Sequence, residues 1–399
     1  MVFLALWAVM EERDLVRSFR SGFGAQPAAI VRAPGRVNLI GDHIDYLGLP
    51  VLPMAVQRTI RIALRPRRDG LVRAANTDAR FAPAEFPAAA EIPASAAGSW
   101  DNYLKAGVGS ALAAAGRSAG VGFDALVDSD LPAAAGLSSS SALVVAAALA
   151  ALYAAGEPWD RLALAETLAR GERYVGTEGG GMDQAVCLCA LAGHALRIDF
   201  APLRVQPVAY PAGWRLLVAP SLRESRKSAG LRAAYNERSR AARGALAAAA
   251  PGLTAPQLVA LLERDPAALA GVARGQPRLR HVLSECRRAL AAVPLLAAGD
   301  AAGLGRLMTE SHASLRDDYQ VSTPELDRLV ALALAAGALG ARLTGAGFGG
   351  CAIALCTAES APGVRAALAA GFYAGAGEGS AAAMFVASPS AGAAVEPLG

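Results

Sequence analysis

The segment Gly136-Leu137-Ser138-Ser139-Ser140-Ser141-Ala142, which we call the serine loop, lies between a predicted strand and a predicted helix. Residues 121–128 before it alternate in hydrophobicity, which predicts a strand, and residues 141–154 after it are strongly apolar, which predicts a helix. The first N–H groups of a helix lack internal partners and the helix dipole is positive there, so this position attracts phosphate. A flexible Gly/Ser linker is the alternative, and we reject it because apolar secondary structure adjoins both sides. The loop has no Gly-Lys-Ser/Thr and is therefore not a P-loop.

A second loop, the aspartate loop, is Gly176-Thr177-Glu178-Gly179-Gly180-Gly181-Met182-Asp183-Gln184. Its consecutive glycines allow the backbone, and with it Asp183, to approach a ligand closely. An aspartate after glycines is, taken alone, more often a turn residue than a base. Glu172, eleven residues earlier, adds a second acidic group to this region. Asp183 therefore becomes a candidate base only in combination with the other loops.

The third glycine-rich segment, the glycine loop, covers residues 344–351 between two predicted strands. Its glycines permit a close approach of the backbone to phosphate, and a plain glycine-rich hairpin explains the pattern equally well. The fourth segment carries polar side chains at the end of an apolar strand, and they are Arg36, Asp42, His43, Asp45 and Tyr46. Residues 29–32 and 37–40 are predicted as two strands separated by Pro34 and Gly35, and residues 41–48 as a polar turn. A rigid strand that ends in a polar turn is typical of a binding site, although a solvated turn has the same composition.

Length and composition place the chain among globular proteins. The 399 residues indicate two domains or one large two-lobed unit, and 54% of them are hydrophobic against 18% charged. Strands and helices do not follow a regular βαβ order, which predicts an α+β fold. The formal net charge is +4, without a dense basic run that alternates with aromatic residues, so we expect no nucleic-acid partner. A mildly positive surface suits an anionic substrate such as a nucleotide.

Cysteine usage and the N-terminus favour a cytoplasmic protein. The five cysteines are an odd number and none has zinc-type spacing with the four histidines, so we expect buried free thiols. Residues 1–9 are apolar but short and lack a basic leading segment, so we expect no secretory signal and hypothesise that translation begins at Met10. No apolar run indicates a membrane span, and we expect no membrane partner.

Taken together, the four segments resemble the GHMP kinase superfamily, and specifically the galactokinases, whose signature residues 35–46 resemble. The resemblance implies an α+β, two-lobed GHMP kinase fold. Its N-terminal lobe would be like ribosomal protein S5 domain 2 and cover residues 10–200, and its ferredoxin-like C-terminal lobe would cover residues 201–399. ATP and the sugar would meet in the cleft between the lobes.

Several variants look more like the N-acetylgalactosamine kinase branch of this family. They are the segment His43-Ile44-Asp45-Tyr46, the four serines of the serine loop and the three glycines of the aspartate loop. Galactokinases proper usually have Thr where Ile44 stands and Glu where Asp42 stands. Asp42 is one methylene shorter than Glu, so its carboxylate would reach less far toward the sugar hydroxyl that the resemblance implies as its partner.

The implied activity is that of a galactokinase, the ATP-dependent phosphorylation of the C1 hydroxyl of galactose to galactose 1-phosphate and ADP. Asp183 would accept or orient the proton of that hydroxyl. Arg36 would hold Asp183 ionised and stabilise charge on the transferring phosphoryl group. The expected ligands are ATP, Mg²⁺ and the sugar, and we expect a monomer.

By the same resemblance, each remaining candidate residue has an expected ligand. Sugar hydroxyls would bind to Asp42, His43, Asp45, Gly180 and Tyr235. The phosphates of ATP would bind to Gly136, Leu137, Ser138, Ser139, Ser140 and Ser141. Trp100 would lie by the adenine, with a core tryptophan as an equal alternative. Ser140 and Glu172 would ligate Mg²⁺, with a helix-surface acid as the alternative for Glu172.

Three other functions remain open from the sequence. An N-acetylgalactosamine 1-kinase would use the same catalytic groups and differ in the room beside the sugar C2 position. A non-catalytic sugar- and ATP-binding sensor derived from a kinase would show damage to the serine loop or to Asp183, and both are present. Another small-molecule GHMP kinase, such as a mevalonate or homoserine kinase, would not carry the element from His43 to Tyr46.

Overall fold

The computed structural model of the chain describes residues 10–132, 136–176, 178–223, 229–377 and 380–398. The hypothesis that translation begins at Met10 concerns residues 1–9, which lie outside these ranges, as does Thr177 of the aspartate loop. The helices are α1 (Glu12–Phe23), α2 (Asp101–Ala114), α3 (Ser139–Ala155), α4 (Arg161–Gly171), α5 (Met182–Cys189), α6 (Ala229–Ala249), α7 (Ala255–Arg264), α8 (Pro277–Ala298), α9 (Ala301–Asp317), α10 (Pro324–Ala335) and α11 (Ala361–Leu368). The strands are β1 (Ala29–Ile40), β2 (Leu52–Arg67), β3 (Leu71–Asn76), β4 (Ala84–Pro87), β5 (Gly122–Ser129), β6 (His194–Asp199), β7 (Arg204–Ala209), β8 (Trp214–Pro220), β9 (Gly340–Thr344), β10 (Cys351–Thr357), β11 (Phe385–Ala387) and β12 (Ala394–Pro397).

The first sheet has the strand order β12-β1-β2-β5-β3-β4, antiparallel except for the β3–β5 pair. The prediction of two strands around Pro34 and Gly35 is wrong, because β1 runs continuously from Ala29 to Ile40. Its pairing register with β2 shifts between Pro34 and Arg36, which accommodates a proline that has no N–H to donate. Arg36 therefore stays in the strand and is held by the sheet.

The second sheet has the order β11-β8-β10-β9 and is antiparallel. With its strands numbered along the chain, this is the order 4-1-3-2 of a ferredoxin-like unit, which confirms the fold class predicted for the C-terminal lobe. Strand β12 pairs with β1, so the end of the chain returns to the first sheet. The boundary between residues 200 and 201 stays a prediction.

Helix α3 is buried on every side from Ser141 to Leu152 and packs against α2, β1 and β2. It begins at Ser139, two residues before the predicted start, and so includes part of the serine loop. Gly107 allows α2 to approach closely, since a Cβ there would lie 2.3 Å from the carbonyl oxygen of Val144. The helix is thereby fixed with its N-terminus beside β1, where the N–H of Arg36 donates to the carbonyl oxygen of Leu137 at 3.1 Å.

The cysteines are free thiols, as predicted, and four of the five are buried. Within the described ranges, the helices are too short or too polar to cross a bilayer.

Candidate active site

Asp183 lies in the first turn of α5, after Gly181, whose φ of 97° is in the left-handed region. Its carboxylate accepts hydrogen bonds from Arg36 Nε at 2.8 Å and from Ser138 Oγ, and Ser141 Oγ lies 3.4 Å from Asp183 Oδ2. Ser138 immediately precedes α3 and Ser141 lies in its first turn, and the left-handed backbone of Ser138 brings both hydroxyls toward Asp183. The predicted convergence of Arg36 and the serine loop on Asp183 is therefore present in the structure.

Arg36 joins three segments of the site. Its Nε donates to Asp183 and its Nη1 donates to the carbonyl oxygen of Gly136 at 2.6 Å. Burial lowers the pKa of Arg36, but the negative charges of Asp183 and Asp42 outweigh this and raise it, so the guanidinium stays charged. The side chain of Arg36 is 7% exposed and that of Asp183 is 24% exposed. The ion pair thus has a buried cation and an accessible carboxylate.

The serine loop and the glycine loop lie against each other. Gly136 and Ser138 have φ values of 75° and 58°, which turn the backbone into α3. A Cβ on Gly345, whose φ is 82°, would lie 2.7 Å from the carbonyl oxygen of Gly136. This contact requires glycine at position 345, so the two glycine-rich segments form one continuous surface at the N-terminus of α3. A helix N-terminus with this backbone geometry suits a phosphate group.

Glu172 lies beside this surface and is 6% exposed. The structure pairs it with Ser141, whose Oγ donates to Glu172 Oε1 at 2.7 Å, whereas the sequence paired it with Ser140. Ser140 precedes Ser141 in α3, and one residue along a helix turns the side chain by about 100°, so Ser140 points in a different direction from Ser141. The role of Ser140 as a metal ligand stays a prediction. No cluster of three metal-ligating residues occurs in the described part of the chain.

The polar turn and the aspartate loop meet at Asp45 and Gly180. The N–H of Gly180 donates to Asp45 Oδ2 at 3.1 Å. A Cβ on Gly180 would lie 2.2 Å from the carbonyl carbon of Asp45, so this contact requires glycine. Burial, together with the nearby charge of Asp183, raises the pKa of Asp45 to about 7. Tyr235 lies at the same place, with its ring 5.7 Å from that of His43 and 5.9 Å from that of Tyr46. Burial raises the pKa of Tyr235, and the nearby charges of Asp45, Asp183 and Glu172 raise it further.

Asp42 and His43 are engaged inside the protein. Asp42 is 2% exposed, and its carboxylate accepts from Asn38 Nδ2 at 3.0 Å, from the N–H of Gly345 at 3.3 Å and from Arg342 Nη2. His43 has Nδ1 3.2 Å from the hydroxyl of Tyr46 and Nε2 3.2 Å from the carbonyl oxygen of Ala346. Burial lowers the pKa of His43 to about 3, so the ring is neutral. The sugar contacts of Asp42 and His43 stay predictions, and the geometry favours a supporting position for both.

Trp100 immediately precedes α2 and is half-buried, with Nε1 donating to the carbonyl oxygen of Ala82 at 2.8 Å. Its ring lies 5.9 Å from that of Phe81. The contact with adenine stays a prediction.

A buried polar group that was not predicted from the sequence lies behind the polar turn. It is formed by Arg342 of β9 with Glu285 and His281 of α8. His281 Nε2 lies 3.1 Å from the carbonyl oxygen of Asp42. Arg342 and Glu285 are 0% exposed. A signal for Arg342 was present, because it is the one charged residue in the short apolar strand Gly340–Thr344. Glu285 gave no such signal, since charged residues surround it in α8.

Comparisons with known proteins agree with this geometry. Residues 17–66 match the galactokinase galactose-binding signature, residues 102–190 the GHMP kinases N terminal domain and residues 292–374 the GHMP kinases C terminal domain. A galactokinase from Roseiflexus sp. strain RS-1 is 41% identical over 382 residues, which is 92% of this chain and 93% of that protein. A galactokinase from Homo sapiens is 38% identical over 358 residues, 87% of this chain and 88% of its own. The crystal structure of Lactococcus lactis galactokinase complexed with galactose superposes with a TM-score of 0.83 at 28% identity and covers 96% of this chain and 99% of that one.

Proposed function

Because the chain belongs to the galactokinase family, we propose that it transfers the γ-phosphoryl group of ATP to the C1 hydroxyl of galactose, giving galactose 1-phosphate and ADP. The observation that carries this proposal is the Arg36–Asp183 ion pair, which lies between the N-terminus of α3 and the Asp45–Gly180 contact. A phosphate at the helix N-terminus and a sugar at Asp45 would therefore have their reacting atoms beside Asp183.

In this mechanism the C1 oxygen forms a bond to the γ-phosphorus while the bond from that phosphorus to the β,γ-bridging oxygen breaks. Asp183 accepts or orients the proton of the C1 hydroxyl. Ser138 donates to the same carboxylate in this structure, so a sugar hydroxyl would take its place as the donor. Arg36 stays charged and lowers the energy of the negative charge that develops on the transferring group.

The phosphates of ATP would bind to the backbone N–H groups and hydroxyls of the serine loop, as the left-handed conformations of Gly136 and Ser138 favour. One buried carboxylate beside a phosphate site fits Mg²⁺, which is usually held by one or two carboxylates together with substrate phosphates. Glu172 would hold the ion together with a hydroxyl of the serine loop, that of Ser140 as the resemblance implies or that of Ser141, which contacts Glu172 in this structure. The ion would neutralise phosphate charge. The adenine would lie toward Trp100.

Asp45, Gly180 and Tyr235 form the proposed sugar contacts. Asp45 binds the N–H of Gly180 in the loop that carries Asp183, and Tyr235 lies beside Tyr46, the residue after Asp45. Asp42 and His43 would support these residues from behind. We further propose that the protein acts as a cytoplasmic monomer with a boundary between lobes near residue 200; sedimentation analysis would test the oligomeric state.

The substrate is tested by comparing kcat/KM for galactose and N-acetylgalactosamine with ATP and Mg²⁺. We expect galactose to be preferred by at least about 100-fold, since an acetamido group that does not fit its pocket costs several kcal/mol. A preference for N-acetylgalactosamine would reassign the chain to the branch that residues 43–46 resemble. Binding of both ligands without turnover would indicate a sensor.

The replacement Asp45→Asn tests the charge at the sugar site. The pKa of Asp45 is raised from 3.8 to about 7 in the folded protein, so its contribution to stability is fully present below pH 4 and is lost as the pH rises through 7. Asparagine removes this buried charge and should stabilise the ligand-free protein at pH 8 by up to about 4 kcal/mol, at about 1.4 kcal/mol per pKa unit. The gain should shrink toward pH 4. Thermal unfolding of variant and parent at pH 4.5, 6 and 8 measures it.

Asp69→Asn is the matched control, because the side-chain hydrogen bond from Arg67 lowers the pKa of Asp69 to about 2 and this carboxylate is at the surface. It should not stabilise the protein at any of these pH values. A gain for Asp45→Asn that is equal at pH 4.5 and pH 8 would contradict the account. The affinity of the Asp45→Asn variant for galactose should fall about tenfold or more, since a charged hydrogen-bond acceptor is lost.

A further inference from the structure

The backbone of residues 39–42 is bound by buried polar groups from β9 and α8. Arg342 Nη1 donates to the carbonyl oxygen of Leu39 at 2.8 Å, and Arg342 Nη2 donates to the carboxylate of Asp42. Glu285 Oε1 accepts from the N–H of Gly41 at 2.8 Å and lies 3.7 Å from Arg342 Nη1. These groups bind the end of β1, at Leu39, and the start of the polar turn, at Gly41 and Asp42, and this segment leads to Asp45.

This polar cluster is fully enclosed. Arg342 and Glu285 are 0% exposed and Asp42 is 2% exposed. Burial alone would raise the pKa of Glu285, but the positive charges of Arg288 and Arg342 lower it to about 2, so it is ionised. Charges in such a place need good partners, and here each has one: Ser311 Oγ and Arg288 Nε donate to Glu285 at 2.8 Å. The arrangement fixes the geometry of the groups that it contains.

The same cluster reaches the glycine loop. The N–H of Gly345 donates to Asp42 Oδ2, the oxygen that Arg342 also contacts, and Thr344 Oγ1 accepts from the N–H of Asn38 at 2.8 Å. Arg342 therefore lies where the polar turn and the glycine loop are joined. Asp42, which the sequence analysis assigned to the sugar, is the carboxylate through which they are joined.

We propose that Arg342 is a positioning residue for the sugar site: through Asp42, Leu39 and Glu285 it fixes residues 39–42 so that Asp45 meets Gly180 beside Asp183. This inference rests on the proposed function, because it assigns the sugar to that site. Arg342 itself contacts no substrate, being 0% exposed behind the polar turn. Its loss would displace Asp45 more than the Arg36–Asp183 pair, because Arg36 is held by Asp183 and by the carbonyl oxygen of Gly136 and not by Arg342.

The test uses Arg342→Lys in the full chain, with KM for galactose, KM for ATP and kcat measured separately. Lysine keeps the positive charge, but its single ammonium group does not reproduce the planar fork that binds Leu39 and Asp42 together. We expect KM for galactose to rise about tenfold to 100-fold, since small misplacements in a site cost this much, and KM for ATP to change by less than about threefold. If Arg342 had a purely structural role, Arg342→Lys would lower Tm and leave the ratio of KM for galactose to KM for ATP unchanged.

Arg61→Lys is the matched control. Arg61 is 4% exposed and pairs with Asp128 across β2 and β5. It should lower Tm to a similar extent and leave both KM values unchanged. The proposal is overturned if Arg342→Lys raises KM for galactose no more than Arg61→Lys does, or raises both KM values equally.

Glu285→Gln provides a second variant that keeps the shape of the side chain if Arg342→Lys fails to fold. It weakens the contacts with Gly41 and Arg342 and should raise KM for galactose by a smaller factor, about threefold to tenfold, again without a matching rise for ATP. An unchanged KM for galactose in this variant also overturns the proposal. Failure of the proposed function itself is distinguishable, because the parent protein would then show no turnover of galactose.

Discussion

Asp183→Asn should lower kcat by about 10³-fold or more while ATP binding is retained. Asparagine keeps the size and one oxygen of the side chain, but it does not accept a proton or carry the charge that Arg36 contacts. The loss of a general base typically costs 10²–10⁴-fold, and here the loss of the ion pair adds to it. Steady-state kinetics with galactose gives kcat, and calorimetric titration with a non-hydrolysable ATP analogue gives the affinity for nucleotide.

Asp124→Asn is a suitable control, because Asp124 is a buried carboxylate paired with Arg67 in the first sheet and touches none of the site residues described above. It should affect Tm and leave kcat within about twofold, as expected for a substitution remote from the chemistry. Turnover of Asp183→Asn within about tenfold of the parent protein would remove Asp183 from the role of base and leave it an orienting group at most.

Arg36→Met should lower kcat by about 10²–10³-fold, the range found when one preorganised donor to a developing negative charge is removed. Methionine has similar length and no charge, so Asp183 loses its donor at 2.8 Å and Gly136 loses its donor at 2.6 Å. Two effects therefore add: the carboxylate becomes easier to protonate, and the serine loop loses a contact with β1.

The first effect predicts a change in the pH profile. Without Arg36, the acidic limb of kcat should move to higher pH, because a nearby positive charge is what favours the ionised form of Asp183. Arg36→Lys should recover part of kcat and restore the parent pH profile, since it returns the charge but not both hydrogen bonds. A pH profile of Arg36→Met identical to that of the parent would show that Arg36 does not maintain the ionisation of Asp183.

Much of the site was predictable from sequence because its parts are loops with distinctive compositions. The serine loop was recognisable from an apolar run on each side, and the aspartate loop from three consecutive glycines ahead of Asp183. The local sequence around Asp183, taken alone, predicts a turn residue and not a base. Its position beside Arg36 depends on the pairing of β1 in the first sheet and on the placement of α5, and no local pattern reports that.

What sequence could not give was the direction of individual side chains. Ser140 and Ser141 look equivalent in a run of serines, and only the helix that begins at Ser139 places Ser141 at Glu172. Asp42 lies in the signature segment and was assigned to the sugar, but its partner Arg342 is 300 residues away in the chain. Contacts of this separation are set by the packing of the two sheets.

The strand around Pro34 likewise depends on contacts that are distant in the sequence. A Pro-Gly pair normally indicates a turn, and here it forms a register shift within β1. The tertiary pairing with β2 overrides the local preference, and the result is that Arg36 is anchored in a sheet. A rigid anchor suits a residue that must hold a charged partner in place.

The most direct test of the proposed activity is the identity of the product. The purified protein is incubated with ATP, Mg²⁺ and galactose carrying ¹³C at C1, and the mixture is followed by ³¹P and ¹³C NMR. We predict one ADP for each galactose 1-phosphate, with phosphorus coupled to the labelled C1, and formation of this product slowed by about 10³-fold or more with Asp183→Asn. ATP hydrolysis without a sugar phosphate, or phosphate on a carbon other than C1, would contradict the account.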